Sequence, residues 1–279
     1  MLKKRLIFTL LYQQGQFMLS RNFRLQKVGN LQWLQSNYNF SHISYSIDEL
    51  IVLDVSRGQK QTEEFCTALK RLSEGCFVPI AAGGGVKSID AARSLLRSGA
   101  DKVVINSALY EDNGFIQNLA SEFGQQCVVA SMDIKSSPDG DFQVWSECGS
   151  VCQLGTAAHW IEQASQAAIG ELYLNSMDRD GTGQGYDLRL LDLLPGNMLK
   201  PVILAGGVGN ASHLAAGLAD PRVDAVATAH LFNFVGNGLK KARQTLISGG
   251  VDLPLWDVQM LEHHLSYFGS QKTMDATHD

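Results

Sequence analysis

Asn175, Ser176, Asp178, Arg179, Asp180, Gly181 and Thr182 fall within eight positions, directly after an apolar run that ends at Leu174. Carboxylates, amides and a hydroxyl at the mouth of a buried strand are the groups that hold a polar ligand and move protons. Asp133, in "SMDIK", closes another apolar run in the same way. An acid at the C-terminal end of a barrel strand reads as catalytic more often than structural. Asp178 and Asp187 have an equal claim as helix caps or Asx turns.

Two glycine loops add a second kind of chemistry. Gly83, Gly84 and Gly85 in "AAGGGV" and Gly206 and Gly207 in "LAGGVG" each follow an apolar run. Glycine lets the backbone approach an anion and turn its amides toward it. The plainer reading is a tight strand-to-helix turn. Two copies in matching contexts favour the anion. Asn106 with Ser107, and Thr228 through His230, stand at the ends of the neighbouring runs and are placed to complete two phosphate pockets. A bis-phosphate or nucleotide-sugar ligand spanning the barrel mouth would follow.

These residues need a frame. Short apolar runs recur at 6–11, 50–55, 78–82, 102–106, 127–133, 171–176, 201–205 and 223–229, most of them separated by amphipathic segments. Ser88 is placed to cap one such helix and Gly99 to stop it. Strands buried on both faces and alternating with helices argue a parallel sheet. Eight of them argue closure into a (β/α)8 TIM barrel. An open doubly wound sheet is the alternative, but no G-x-G-x-x-G follows the first strand. "VPIAAGGGVKSIDAARSLLRSGADKVVINSALY" reappears in outline as "KPVILAGGVGNASHLAAGLADPRVDAVATAHLF". The chain therefore reads as one barrel over residues 1–254, built as a two-fold half-barrel repeat. The tail 255–279 reads as a short helix that then frays.

Composition sets outer limits. The 279 residues are 45% hydrophobic with a net charge of −5, and no basic nucleic-acid footprint is present. The five cysteines show no metal-ligand spacing and are read as reduced thiols of a cytoplasmic protein. No metal or cofactor is expected. The start "MLKKRLIFTLLYQQG" has a short apolar run and no cleavage site, so it is read as the first strand. No run reaches the length of a membrane span.

"AGGGVKSIDAARSLLRSGADKVVINSA", "SMDIK", "NSMDRDGTGQGYDL" and "LAGGVGN" closely resemble the HisF-type cyclase subunit of imidazole glycerol phosphate synthase. The likeness runs from Met1 to about Pro254. It implies a barrel with two phosphate sites, a HisH-type glutaminase docked on the N-terminal face, and ammonia passing down the axis. There the cyclase adds ammonia to a formimino nucleotide, releasing imidazole glycerol phosphate and aminoimidazole carboxamide ribotide. By the resemblance, Arg5, Glu49, Lys102 and Glu171 occupy a four-charge ammonia gate, and Asp101 a position at the glutaminase interface. Asp133 matches a catalytic carboxylate, Asp54 the strand-two acid, and Asp180 the acid after strand six.

The departures carry as much weight. Leu11 stands where the family has its other catalytic Asp, and Leu19 where it has a substrate-contacting lysine. Asn175 replaces a threonine, Ala205 a small hydroxyl residue and His230 a serine. Leucine carries no proton, and a positioned carboxylate contributes about 10²–10⁴-fold. The pattern resembles a branch of the family associated with amidination of surface-polysaccharide sugars, in which ammonia goes to a separate sugar amidotransferase. Two alternatives remain. One is a histidine-pathway cyclase in which another group, for instance Arg21 or an acid brought in by a loop, replaces the missing acid. The other is a non-catalytic scaffold that activates a glutaminase.

Overall fold

The computed structural model describes residues 3–255, apart from 39, 59, 112 and 231. The tail helix expected after residue 255 lies outside the described residues. Eight strands form the frame: β1 (Arg5–Gln13), β2 (Glu49–Asp54), β3 (Ile80–Gly83), β4 (Lys102–Ile105), β5 (Val128–Ser136), β6 (Glu171–Ser176), β7 (Val202–Ala205) and β8 (Ala225–Thr228). Each pairs in parallel with the next, and β8 pairs with β1, so the barrel closes. Closure leaves no unpaired edge among these strands.

Residue alternation along β1 shows how the layers arise. Leu6, Phe8 and Leu10 point outward into the shell of helices. Ile7 points inward and packs with Ile51, Val104, Val129, Tyr173 and Ile203. Both faces of each strand are thus buried, which explains the continuous apolar runs. Outside, Ser88 Oγ accepts from Ala91 N at 3.1 Å and opens helix Ile89–Arg97. Gly99 ends that helix region with φ +101°, and a Cβ there would sit 2.4 Å from Ser73 Oγ.

The half-barrel repeat has a shared fastening at the strand entrances. Asp101 Oδ2 accepts from Ile80 N at 2.8 Å, and Asp224 Oδ2 accepts from Val202 N at 2.9 Å. Asp48 Oδ2 does the same for Leu6 N at 2.8 Å, and also pairs with the buried Arg243. Asp101 and Asp224 thereby satisfy the first amide of the preceding strand, and Asp48 the second amide of β1. Asp101 therefore has a role in the fold besides the interface position the resemblance gives it.

Two hairpins depart from the strand–helix alternation. Strands Gln16–Arg21 and Arg24–Gly29 follow β1, and Phe142–Ser146 and Val151–Cys152 follow β5. Their tips hold Asn22, Phe23, Glu147 and Cys148 at positive φ. That is the conformation of tight hairpin turns, usually left to Gly or Asn. The tips meet across the mouth: a Cβ on Gly149 would lie 2.6 Å from the Phe23 ring. Arg57, in the loop after β2, donates to both Phe23 O and Cys148 O. No helix among the described residues is long and apolar enough to cross a membrane.

Candidate functional site

At the strand entrances four charged side chains close a ring. Arg5 Nη1 donates to Glu49 Oε2 at 2.8 Å and to Glu171 Oε1 at 3.0 Å. Lys102 Nζ donates to both oxygens of Glu49, at 3.0 and 2.9 Å, and to Glu171 Oε1 at 3.1 Å. Two cations and two anions alternate, so no charge is buried alone. Burial pushes the Glu49 carboxyl up while Lys102 pulls it back. Burial also works against the Arg5 guanidinium, but the Glu171 and Glu49 carboxylates hold it above its ordinary value. Glu171 Oε2 is buried without a hydrogen-bond partner among the described residues.

Above the ring the axis is apolar, with Ala81, Ala205, Ala225 and Ala227 among its small side chains. Thr9 Oγ1 and Tyr173 OH lie 3.5 Å apart there. The axis leads to a cavity of about 280 Å³ at the C-terminal mouth, which Asp133 and Asn106 line from the β5 and β4 ends. Asn106 Nδ2 donates to Asp133 Oδ2 at 3.0 Å, and Asn175 Nδ2 donates to Oδ1 at 2.8 Å. One carboxylate is thus held between two amides. Burial pushes Asp133 up to about 7; the Asn175 bond pulls down, the charge of Asp180 pushes up, and the Asn106 bond pulls down. Asn106 Oδ1 remains a buried acceptor without a partner among the described residues.

Asp133 is therefore expected to titrate near neutrality, followed by carbon-13 NMR of its labelled carboxyl. Its folded value lies above the ordinary one of about 4. Its ionisation thus works against folding, with no cost below pH ~4, a rising cost up to pH ~7 and a constant cost above. Asn175→Ala removes a donor to the ionised form and should raise the midpoint. Asp180→Asn removes a neighbouring charge and should lower it. A wild-type midpoint near 4 would contradict this account of the site.

Leu11 lines the same cavity from β1, half a barrel away from Asp133. Gly84 and Gly85 reach it with φ +125° and +70°, as do Gly206 and Gly207 with +88° and +104°. A Cβ on Gly84 would lie 2.3 Å from Asp54 O, and one on Gly207 2.2 Å from Gly185 O. Thr228 and His230 complete the second loop pair. His230 Nδ1 accepts from Asn233 N at 3.2 Å, which leaves the ring proton on Nε2. Burial holds the ring below its ordinary pKa, favouring that neutral, singly donating form.

Gly83 and Thr182 do not line the cavity. Gly83 ends β3, where a Cβ would meet Val104 O at 2.4 Å. Thr182 Oγ1 donates to Arg179 O at 2.8 Å, within its own turn. Arg21 is exposed and also stands outside the cavity. Lys60, not singled out by sequence, does line it. Its Nζ donates to Asp54 O at 2.8 Å, and its side chain lies against Gly85. The basic loop "SRGQK" after β2 was its only signal.

Asp180 both lines the cavity and fastens the first hairpin. Its Oδ2 accepts from Ser20 Oγ at 2.5 Å and from Phe23 N at 3.0 Å. Burial raises its pKa against those two bonds. Gly181, next to it, has φ +65°, and a Cβ would fall 2.1 Å from Ser20 O. Gly181→Ala is expected to cost about 2 kcal/mol in urea unfolding and to loosen the hairpin in hydrogen exchange. An unchanged midpoint would show that this contact is not tight.

A closed parallel barrel with paired glycine loops and an amide-held carboxylate at its C-terminal mouth defines a (β/α)8 protein of the two-fold repeated kind. A sequence model of the family "Histidine biosynthesis protein" matches residues 35–236. The chain belongs to that family and is a HisF-like subunit within it. A similar protein from Parasynechococcus marenigrum (strain WH8102) carries the provisional description imidazole glycerol phosphate synthase subunit hisF2. It is 46% identical over 244 residues, covering 88% of this chain and 90% of its own length.

Proposed function

We propose that this HisF-like subunit receives ammonia from a partner glutaminase at the charged ring and delivers it through the barrel. The acceptor is a phosphorylated or nucleotide compound, or a sugar held by a separate amidotransferase. The finer reading is amidination of a surface-polysaccharide sugar. The observation that carries it is the combination of a complete Arg5–Glu49–Lys102–Glu171 ring with Leu11 facing the cavity that Asp133 lines. The free acceptor Glu171 Oε2 can take an ammonia N–H as it enters. At the mouth, Asp133 can take one proton near neutral pH, but β1 offers no acid to give one back. The glycine loops, Lys60 and His230 are the groups proposed to hold phosphate, and Asp101 contributes to the glutaminase face.

The relative's description supports the alternative of a cyclase acting on the formimino nucleotide. Purified chain, formimino nucleotide and an ammonium salt separate the two. Imidazole glycerol phosphate is expected to form far more slowly than with a barrel bearing both acids. Rapid turnover by the unaltered chain would establish the cyclase reading instead.

A further inference from the structure

Leu11, Leu19, Phe23, Leu25, Leu53 and Val55 all line the cavity, and each is only part-buried. Leu11 and Leu53 are direct neighbours across the β1–β2 ladder. Leu19, Phe23 and Leu25 come from the hairpin that follows β1, and Val55 directly follows β2. Single exposed apolar side chains are ordinary. Six of them on the β1–β2 side of one concave site, beside the polar Thr9, Ser20, Asp54 and Asp180, mark where part of a ligand is desolvated. Opposite this wall stand Asp133, Asn106 and Asn175, with Lys60 and the glycine loops at the flanks.

We propose that the β1–β2 wall is an apolar subsite, and that the phosphorylated ligand of the mouth carries a hydrocarbon group of a few carbons that packs on it. This rests on the reading that the glycine loops take phosphate. The hairpin closes the arrangement. Asp180 fastens it through Ser20 and Phe23 N, and Arg57 joins its tip to the second hairpin, so the leucines are held against the mouth rather than splayed into solvent. Hydrocarbon brought against such a wall gains by leaving water. A ligand with hydroxyls at that position would lose their hydration with no donor or acceptor from these six side chains to replace it.

The test is calorimetric binding of inorganic phosphate and of methyl, ethyl, propyl and butyl phosphate to the full chain. Affinity is expected to rise about two- to fourfold per added methylene, with a heat-capacity change that becomes more negative along the series. Leu19→Ser and Leu53→Ser should each flatten the series. A flat series in the unaltered chain, with inorganic phosphate bound, overturns the subsite alone. A steep series that survives both substitutions also overturns it, because the alkyl group then lies elsewhere. If inorganic phosphate does not bind at all, the phosphate reading of the loops fails, and this ligand class fails with it.

Discussion

Leu11→Asp is expected to raise the rate of imidazole glycerol phosphate formation, from formimino nucleotide and ammonium, by about 10²–10⁴-fold over the unaltered chain. The substitution supplies a second proton carrier at the end of β1, across the cavity from Asp133. Its setting favours the role. Leu53 is its ladder neighbour on β2, so the new carboxyl would be partly desolvated and biased toward its protonated form. Asp133 is already held by two amides and already poised near neutrality. The gain should depend on Asp133, so Asp133→Asn in the same background should remove it. No gain from Leu11→Asp would mean that the mouth is otherwise remodelled beyond cyclisation, with Leu19 the first suspect.

Glu49→Ala carries the other large effect. Glu49 accepts from both Arg5 and Lys102, and its removal leaves two cations sharing Glu171 in a part-buried ring. Removing one partner of a buried ion network costs about 3–5 kcal/mol. In a chain of this size that lowers the melting temperature by about 10 °C. Coupling to a glutaminase should fail as well: glutamine-dependent nitrogen transfer should fall far more than transfer from free ammonium. A variant that melts normally and keeps that ratio would show that the ring is neither a structural unit nor a gate.

The crowded stretch 175–187 shows what the sequence conveys and what it withholds. Its polar residues read as groups that hold a ligand and move protons. In the structure most of them build the loop itself. Asp178 Oδ2 accepts from Ser136 N at 2.7 Å, Ser176 Oγ accepts from Arg179 N, and Asp187 caps the turn Leu188–Leu193 and pairs with Arg189. Asn175, Asp180 and Gly181 alone of the stretch reach the cavity. Short polar side chains bond backbone and ligand equally well, and composition does not separate the two uses.

The barrel was legible because burial on both faces leaves continuous apolar runs, and because the repeat preserves them. The hairpins after β1 and β5 were not. Their turns lack the Asn-Gly signature, using Asn22–Phe23 and Glu147–Cys148 in a strained conformation that the tip contact and Arg57 hold in place. The amide clamp on Asp133 was hidden for a different reason. Asn106 and Asn175 are 69 residues apart in sequence, and only the order of β4, β5 and β6 in the closed sheet places them on either side of one carboxylate.

The most direct test follows nitrogen. The chain, together with a HisH-type glutaminase and glutamine labelled at its amide nitrogen, is supplied in cells that make the surface polysaccharide. Label is expected in an amidino group of a sugar, lost on Glu49→Ala and retained on supply of free labelled ammonium. Label confined to the imidazole ring of imidazole glycerol phosphate would contradict it, and so would glutamine hydrolysis with no labelled sugar.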